Sequence, residues 1–124
     1  LHFIDEPIGE AKLVRCCAGA IFDVAVDMRS HSSSFGAWVG LALDAASHRA
    51  LYLPKGCAHG FLTLCDDTDV IYQFSEPHRP GIERGVRWDD PDIGVIWPES
   101  PTIVSERDRS LPTFRQAICQ TPVA

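Results

Sequence analysis

Hydrophobic and polar positions alternate with a period of two over much of the stretch from Lys12 to Phe74, the pattern of β-strands. The clearest run is Ala20 to Asp27. There Phe22, Val24 and Val26 point one way and Asp23, Ala25 and Asp27 the other, which predicts a strand with one wet face. Lys12 to Cys17 predicts the strand before it, with Ala18-Gly19 as the tight turn between the two. Trp38 to Leu43 and Ala50 to Leu53 predict two more strands, the second stopped by Pro54. Phe61 to Cys65 and Val70 to Phe74 flank Asp66-Asp67-Thr68-Asp69, a hairpin signal. Leu1-His2-Phe3-Ile4 reads as the interior of a strand. Strand signals recur at roughly the 8–12-residue spacing of a sandwich or barrel. From Pro77 onward proline, glycine and charge accumulate, Trp88 to Trp97 is irregular, and only Ser105 to Cys119 has room for a short helix. No alternation of strands with helices appears. That excludes a Rossmann-type sheet and predicts an all-β jelly roll or small barrel.

The chain has 124 residues, the size of one domain. Its 45% hydrophobic content is enough to bury a core and too high for a disordered chain. A net charge of -6 lacks the basic surface that nucleic-acid binding requires. No apolar run approaches the roughly 18 residues of a membrane-spanning helix, and no signal-peptide pattern is visible. The five cysteines (Cys16, Cys17, Cys57, Cys65 and Cys119) are odd in number and form no C-x-x-C pair. They read as reduced thiols of a cytosolic protein. Cys57 lies in a glycine-rich turn near a histidine, where a catalytic thiol is conceivable, but packing is the better reading.

Candidate chemistry is concentrated in a few places. Pro54-Lys55-Gly56-Cys57-Ala58-His59-Gly60 stops one strand, turns tightly and starts the next, placing His59 at the mouth of a barrel. Taken alone, His59 is equally a turn cap or a functional side chain. Lys12 opens the apolar run Lys12-Leu13-Val14, where a buried ammonium is costly unless it is used. The alternative is a lysine snorkelling at a strand end, which pattern alone slightly favours. Tyr72 alternates with Val70 and Phe74 and so faces inward, either as a core tyrosine or as a proton donor near a histidine and a lysine. Asp108 lies in the charged run Glu106-Arg107-Asp108-Arg109, whose default is a solvated face. His31, His48 and His78 sit in loops, and the chain has no H-x-H, so a bound metal is disfavoured.

The motif P-x-G-x-x-H around His59 resembles the second motif of the cupin superfamily. Over essentially the whole chain the sequence resembles one non-metal cupin family, the dTDP-4-dehydrorhamnose 3,5-epimerases. The pieces that carry the likeness are Leu1-His2-Phe3, Ala11-Lys12-Leu13-Val14-Arg15, Phe22 to Asp27 and Phe35 to Gly40. They continue with Pro54 to Phe61, Arg84 to Pro91, Ile96-Trp97-Pro98 and Ser105-Glu106-Arg107-Asp108. The resemblance implies a cupin-type jelly roll (a double-stranded β-helix) with a short C-terminal helical segment. Residues 1–124 would form a single cupin-like domain lacking the family's N-terminal segment.

It also implies roles. His2 would be the base, Asp108 its partner, Lys12 the stabiliser of an enolate and Tyr72 the proton donor. His59, Arg15 and Glu83 would bind substrate. The implied reaction inverts C3 and C5 of a dTDP-4-keto-6-deoxyhexose without a cofactor or metal, in the cytoplasm, in a homodimer. Two other readings remain at this stage: a 3- or 5-only sugar-nucleotide epimerase of an antibiotic deoxysugar pathway, and a non-catalytic sugar-binding β-domain.

Overall fold

A computed structural model describes residues 1–120; positions 121–124 of the expected domain lie outside the described residues. Among the described residues, eight strands and two short helices follow one another: β1 (His2–Ile4), β2 (Lys12–Ala18), β3 (Ala20–Asp27), β4 (Trp38–Asp44), β5 (Ala50–Leu53), β6 (Cys57–Thr63), β7 (Asp69–Phe74), β8 (Glu83–Gly85), α1 (Glu106–Arg109) and α2 (Phe114–Cys119). The strands form a five-stranded sheet, ordered β4-β3-β6-β1-β8, and a three-stranded sheet, ordered β5-β2-β7. Every pairing is antiparallel. This is the expected all-β, cupin-like jelly roll. None of its described helices is long and apolar enough to cross a membrane.

Gly19 alone joins β2 to β3. Its φ of 71° and a Cβ that would fall 2.3 Å from Thr68 Oγ1 leave no room for another residue. The strand therefore turns directly from one sheet into the other. Between the sheets, Val14, Cys16, Ile21, Leu43, Leu53 and Cys57 form one apolar core. Burial pushes the Cys57 thiol up, away from the reactive thiolate, as a packing role requires.

A second core lies on the other side of the five-stranded sheet. Leu1, Phe3, Val24, Val26 and Ala58 are covered there by Val86, Ile93 and Ala117 from the C-terminal segment. Phe22 meets Trp97 edge-on, with ring centroids 6.0 Å apart.

This corrects the expectation of a wet face on β3. Val24 and Val26 face the C-terminal segment, while Ile21 and Asp23 face the space between the sheets, and all four are 0% exposed. Alternation along β3 separates two buried environments rather than core from water. Three further differences concern the elements themselves. β6 starts at Cys57, not Phe61, because its pairing with β3 runs from Ile21↔Thr63 through to Asp27↔Cys57. The small residues that read as a turn let Leu1 pass close: a Cβ on Gly60 would lie 2.9 Å from a Leu1 methyl. β8 pairs with β1 from within the polar segment, and the expected helical tail is two helices, α1 and α2.

Candidate active site

The topology brings His2, Lys12, His59, Tyr72, Glu83 and Asp108 to one open cavity of about 440 Å³. His2 on β1 and His59 on β6 are register partners, so both project from the same face of the five-stranded sheet. Lys12 and Tyr72 project from the facing sheet, opposite Phe74 and Val14 respectively in the β2–β7 register. Phe61, Trp88, Trp97 and Ile103 complete an apolar wall.

Both nitrogens of His2 meet carboxylates. Nε2 lies 2.6 Å from Asp108 Oδ1 and Nδ1 lies 2.7 Å from Glu83 Oε1. Both contacts are hydrogen bonds only for the imidazolium, which has two N–H donors; a neutral imidazole donates to one carboxylate, and its other nitrogen acts as a base once it turns from the second. Asp108 sits on α1, whose first turn is capped by Ser105: the Ser105 hydroxyl accepts from the Asp108 amide at 3.1 Å. Burial pushes the Asp108 carboxyl up, but hydrogen bonds to His2 and Ser105 outweigh it and hold the group below the ordinary carboxylate value. Arg107 Nη2 donates to Glu83 Oε1 at 2.5 Å, so Glu83 is shared between the base and a guanidinium.

Lys12 does not snorkel. Its side chain is 7% exposed, and Nζ donates to the backbone carbonyl of His2 at 3.4 Å, bridging the two sheets. Nζ also lies 5.8 Å from the centre of the Phe74 ring. Burial lowers the pKa of this ammonium, against the opposing pull of Glu10, Glu83 and Asp23.

His59 is held from behind. Its Nε2 lies 2.5 Å from Oδ1 of Asp23, a carboxylate fully removed from solvent whose Oδ2 has no hydrogen-bond partner. Tyr72 is 42% exposed and stands edge-on to Phe74 and His59, at centroid distances of 5.2 and 6.2 Å.

One expected residue is elsewhere. Arg15 follows Lys12 by three positions on β2, and an odd offset along a strand places it on the opposite face. It is exposed there, on the outside of the three-stranded sheet, and does not line the cavity. Sequence reasoning also missed three contributors. Asp23 falls on the face of β3 expected to be wet, Glu10 carries no signal of its own in the sequence, and Arg107 lies within the charged run Glu106 to Arg109. For Asp23 a signal was present, because an aspartate inside an apolar strand is as unusual as the lysine of β2. Asp27 is not available to a ligand: both its oxygens are taken by Arg29 and Ser34. Among the described residues, no three His, Cys, Asp or Glu side chains converge as a metal site.

Comparison with known proteins gives this geometry a family. The family model described as dTDP-4-dehydrorhamnose 3,5-epimerase matches residues 1–116. A dTDP-4-dehydrorhamnose 3,5-epimerase of Sinorhizobium fredii is 45% identical over 100% of this chain and 62% of its own length. A dTDP-4-dehydrorhamnose 3-epimerase of Streptomyces niveus is 42% identical over 88% of this chain and 53% of its own. Among solved structures, NovW, a 4-keto-6-deoxy sugar epimerase from the novobiocin cluster of Streptomyces spheroides, superposes with a TM-score of 0.90 at 40% identity. That match covers 94% of this chain and 59% of NovW. The chain thus spans about three fifths of the length of such relatives. With the motifs, the jelly roll and the cavity in agreement, the chain belongs to the dTDP-4-dehydrorhamnose 3,5-epimerase family.

Proposed function

We propose that this chain carries the reacting groups of an epimerase that inverts C3 and C5 of a dTDP-4-keto-6-deoxyhexose through an enolate. The observation that carries the reading is the disposition of the cavity. A histidine and a phenol project from opposite sheets, and a buried ammonium reaches between them.

The C4 ketone acidifies the protons on C3 and C5. The lone-pair nitrogen of His2 takes one of them. The C–H electron pair becomes the carbon–carbon π bond of the enolate, and the carbonyl π pair moves onto the C4 oxygen. The Lys12 ammonium stabilises that oxyanion, a type of electrostatic contribution that is often the largest in catalysis. The phenol of Tyr72 then delivers a proton from the other face, the carbonyl re-forms and the centre is inverted. The Tyr72 phenolate and the His2 imidazolium return to their starting states through solvent. Asp108 holds the His2 ring in place and balances the imidazolium, as a carboxylate does for the histidine of a serine-hydrolase triad. The hydrogen bond to Asp23 fixes the ring of His59, which we assign to substrate binding with Glu83.

A second reading has a specific observation behind it. The Streptomyces niveus relative is named a 3-epimerase at nearly the same identity as the 3,5-epimerase of Sinorhizobium fredii. A single-carbon reaction uses the same base, ammonium and acid. Product analysis by NMR separates the two. Incubation with dTDP-4-keto-6-deoxyglucose is expected to give the product inverted at both carbons. Inversion at one carbon selects the second reading, and unchanged substrate overturns both.

A homodimer is part of this proposal. The Phe22, Val24 and Val26 strand offers it no free apolar face, because the valines are covered by the C-terminal segment. We place its contact surface on the outside of the three-stranded sheet, where Tyr52 is 65% and Ile71 56% exposed. A nucleotide-activated sugar as substrate fits a cytoplasmic enzyme.

A further inference from the structure

We propose that Glu10 is a positioning residue for this reaction: its carboxylate, set beside Lys12 and outside the cavity, keeps the ammonium charged and aimed into the cavity. The inference rests on the epimerase reading for its catalytic meaning, but its geometry stands apart from that reading.

Three carboxylates act on Lys12, from three parts of the fold: Glu10 just before β2, Asp23 on β3 and Glu83 on β8. Two of them are engaged elsewhere. Asp23 is bound to His59 at 2.5 Å. Glu83 is shared by His2 at 2.7 Å and Arg107 at 2.5 Å. Glu10 makes no side-chain hydrogen bond to the described residues. Its one ion pair among them is with Lys12, Oε1 to Nζ at 3.9 Å.

Both partners are largely withdrawn from water, at 7% and 10% side-chain exposure. Lys12 lines the cavity and Glu10 does not. The carboxylate therefore sits outside the cavity that a bound sugar would fill. A buried ammonium without a counter-charge gives up its proton more readily, and a neutral amine does not stabilise an enolate.

The other groups that act on Glu10 are Glu83, Glu76 and His78. On the cavity side Lys12 shares its surroundings with His2, His59 and Tyr72. Burial raises the Glu10 carboxyl, against the pull of Lys12. An uncharged Glu10 would no longer serve as counter-charge, so the coupling acts at neutral pH and above and weakens as acid neutralises the carboxylate.

The test is direct because the chain has two lysines, Lys12 and Lys55. Titration of ¹³C-labelled lysine Cε resonances by NMR, on the substrate-free protein, reads both ammonium groups, and Lys12→Arg assigns them. In Glu10→Gln the Lys12 midpoint is expected to fall by roughly one pH unit, the usual scale for losing an opposite charge at this distance. Lys55 should not move, and Glu10→Asp should recover part of the shift. In the active enzyme the basic limb of kcat should move down by the same interval with KM little changed. A Lys12 midpoint identical in wild type and Glu10→Gln overturns the proposal. So does a limb that stays in place while the midpoint moves. The titration needs no substrate, so its failure is distinct from failure of the epimerase reading, which the product assay decides.

Discussion

Single side chains decide the chemistry, and the most informative is Lys12. A lysine at 7% exposure loses hydration that the His2 carbonyl, 3.4 Å from Nζ, and the Glu10 carboxylate, 3.9 Å away, replace only in part, so its place in an apolar strand points to use. Lys12→Met removes the charge while keeping the length of the side chain. It should lower kcat by about 10²–10³-fold, the usual effect of deleting one oxyanion stabiliser, with the protein still folded. A stopped-assay comparison of kcat with thermal unfolding checks both parts. At the same scale Asp108→Asn should lower kcat strongly while leaving His2 in place, because a neutral amide no longer balances an imidazolium. What the sequence made legible here followed from oddity within a pattern. Tyr72 joined an apolar alternation that marked it as inward-facing, whereas Lys12 stood out in an apolar run whose pattern alone slightly favoured a snorkelling strand end. Arg15 was assigned to the site on resemblance, although its odd offset from Lys12 already placed it on the other face. Glu10 and Arg107 were illegible, since their meaning comes from Lys12 and Glu83, partners brought to them by the fold.

At the level of elements, β3, announced by clean alternation, and β5, stopped by Pro54, were located best. β3 and β5 run over the expected residues, Ala20–Asp27 and Ala50–Leu53. β6 was harder, because Cys57-Ala58-His59-Gly60 is small and glycine-flanked and looks like a turn until its pairing with β3 is known. β8 lies among charges and shows no alternation at all. The end of β3 carries its own device. Asp27 accepts from the Arg29 amide at 3.0 Å, from the Arg29 guanidinium at 2.9 and 3.0 Å and from Ser34 Oγ at 2.5 Å, pinning the loop that leads to β4. The hydrogen bonds of Arg29 above all hold this carboxyl well below the usual range. Its contribution is therefore fully present above the unfolded value near pH 4, and is lost as pH falls below that. Asp27→Asn should cost about 1–3 kcal/mol in urea unfolding at pH 7. The difference from wild type should shrink steadily below about pH 4; a difference that grew in acid would contradict the assignment.

The whole molecule is two cores around one sheet, and only one of them was legible. The inter-sheet core follows from strand alternation. The second depends on an irregular segment, Val86 to Ala117, folding back over the outer face of the five-stranded sheet. No local periodicity encodes such a long-range cover, which is why β3 looked half wet. The same segment supplies α1 and hence Asp108, so covering the sheet and completing the site are one event. The central claim is that His2, in this assembled cavity, removes a proton from carbon. It is tested most directly by NMR of dTDP-4-keto-6-deoxyglucose in heavy water, with wild type and His2→Asn side by side. The account predicts deuterium at C3 and C5 with wild type and none with His2→Asn. Exchange that persists at the wild-type rate in His2→Asn would contradict it.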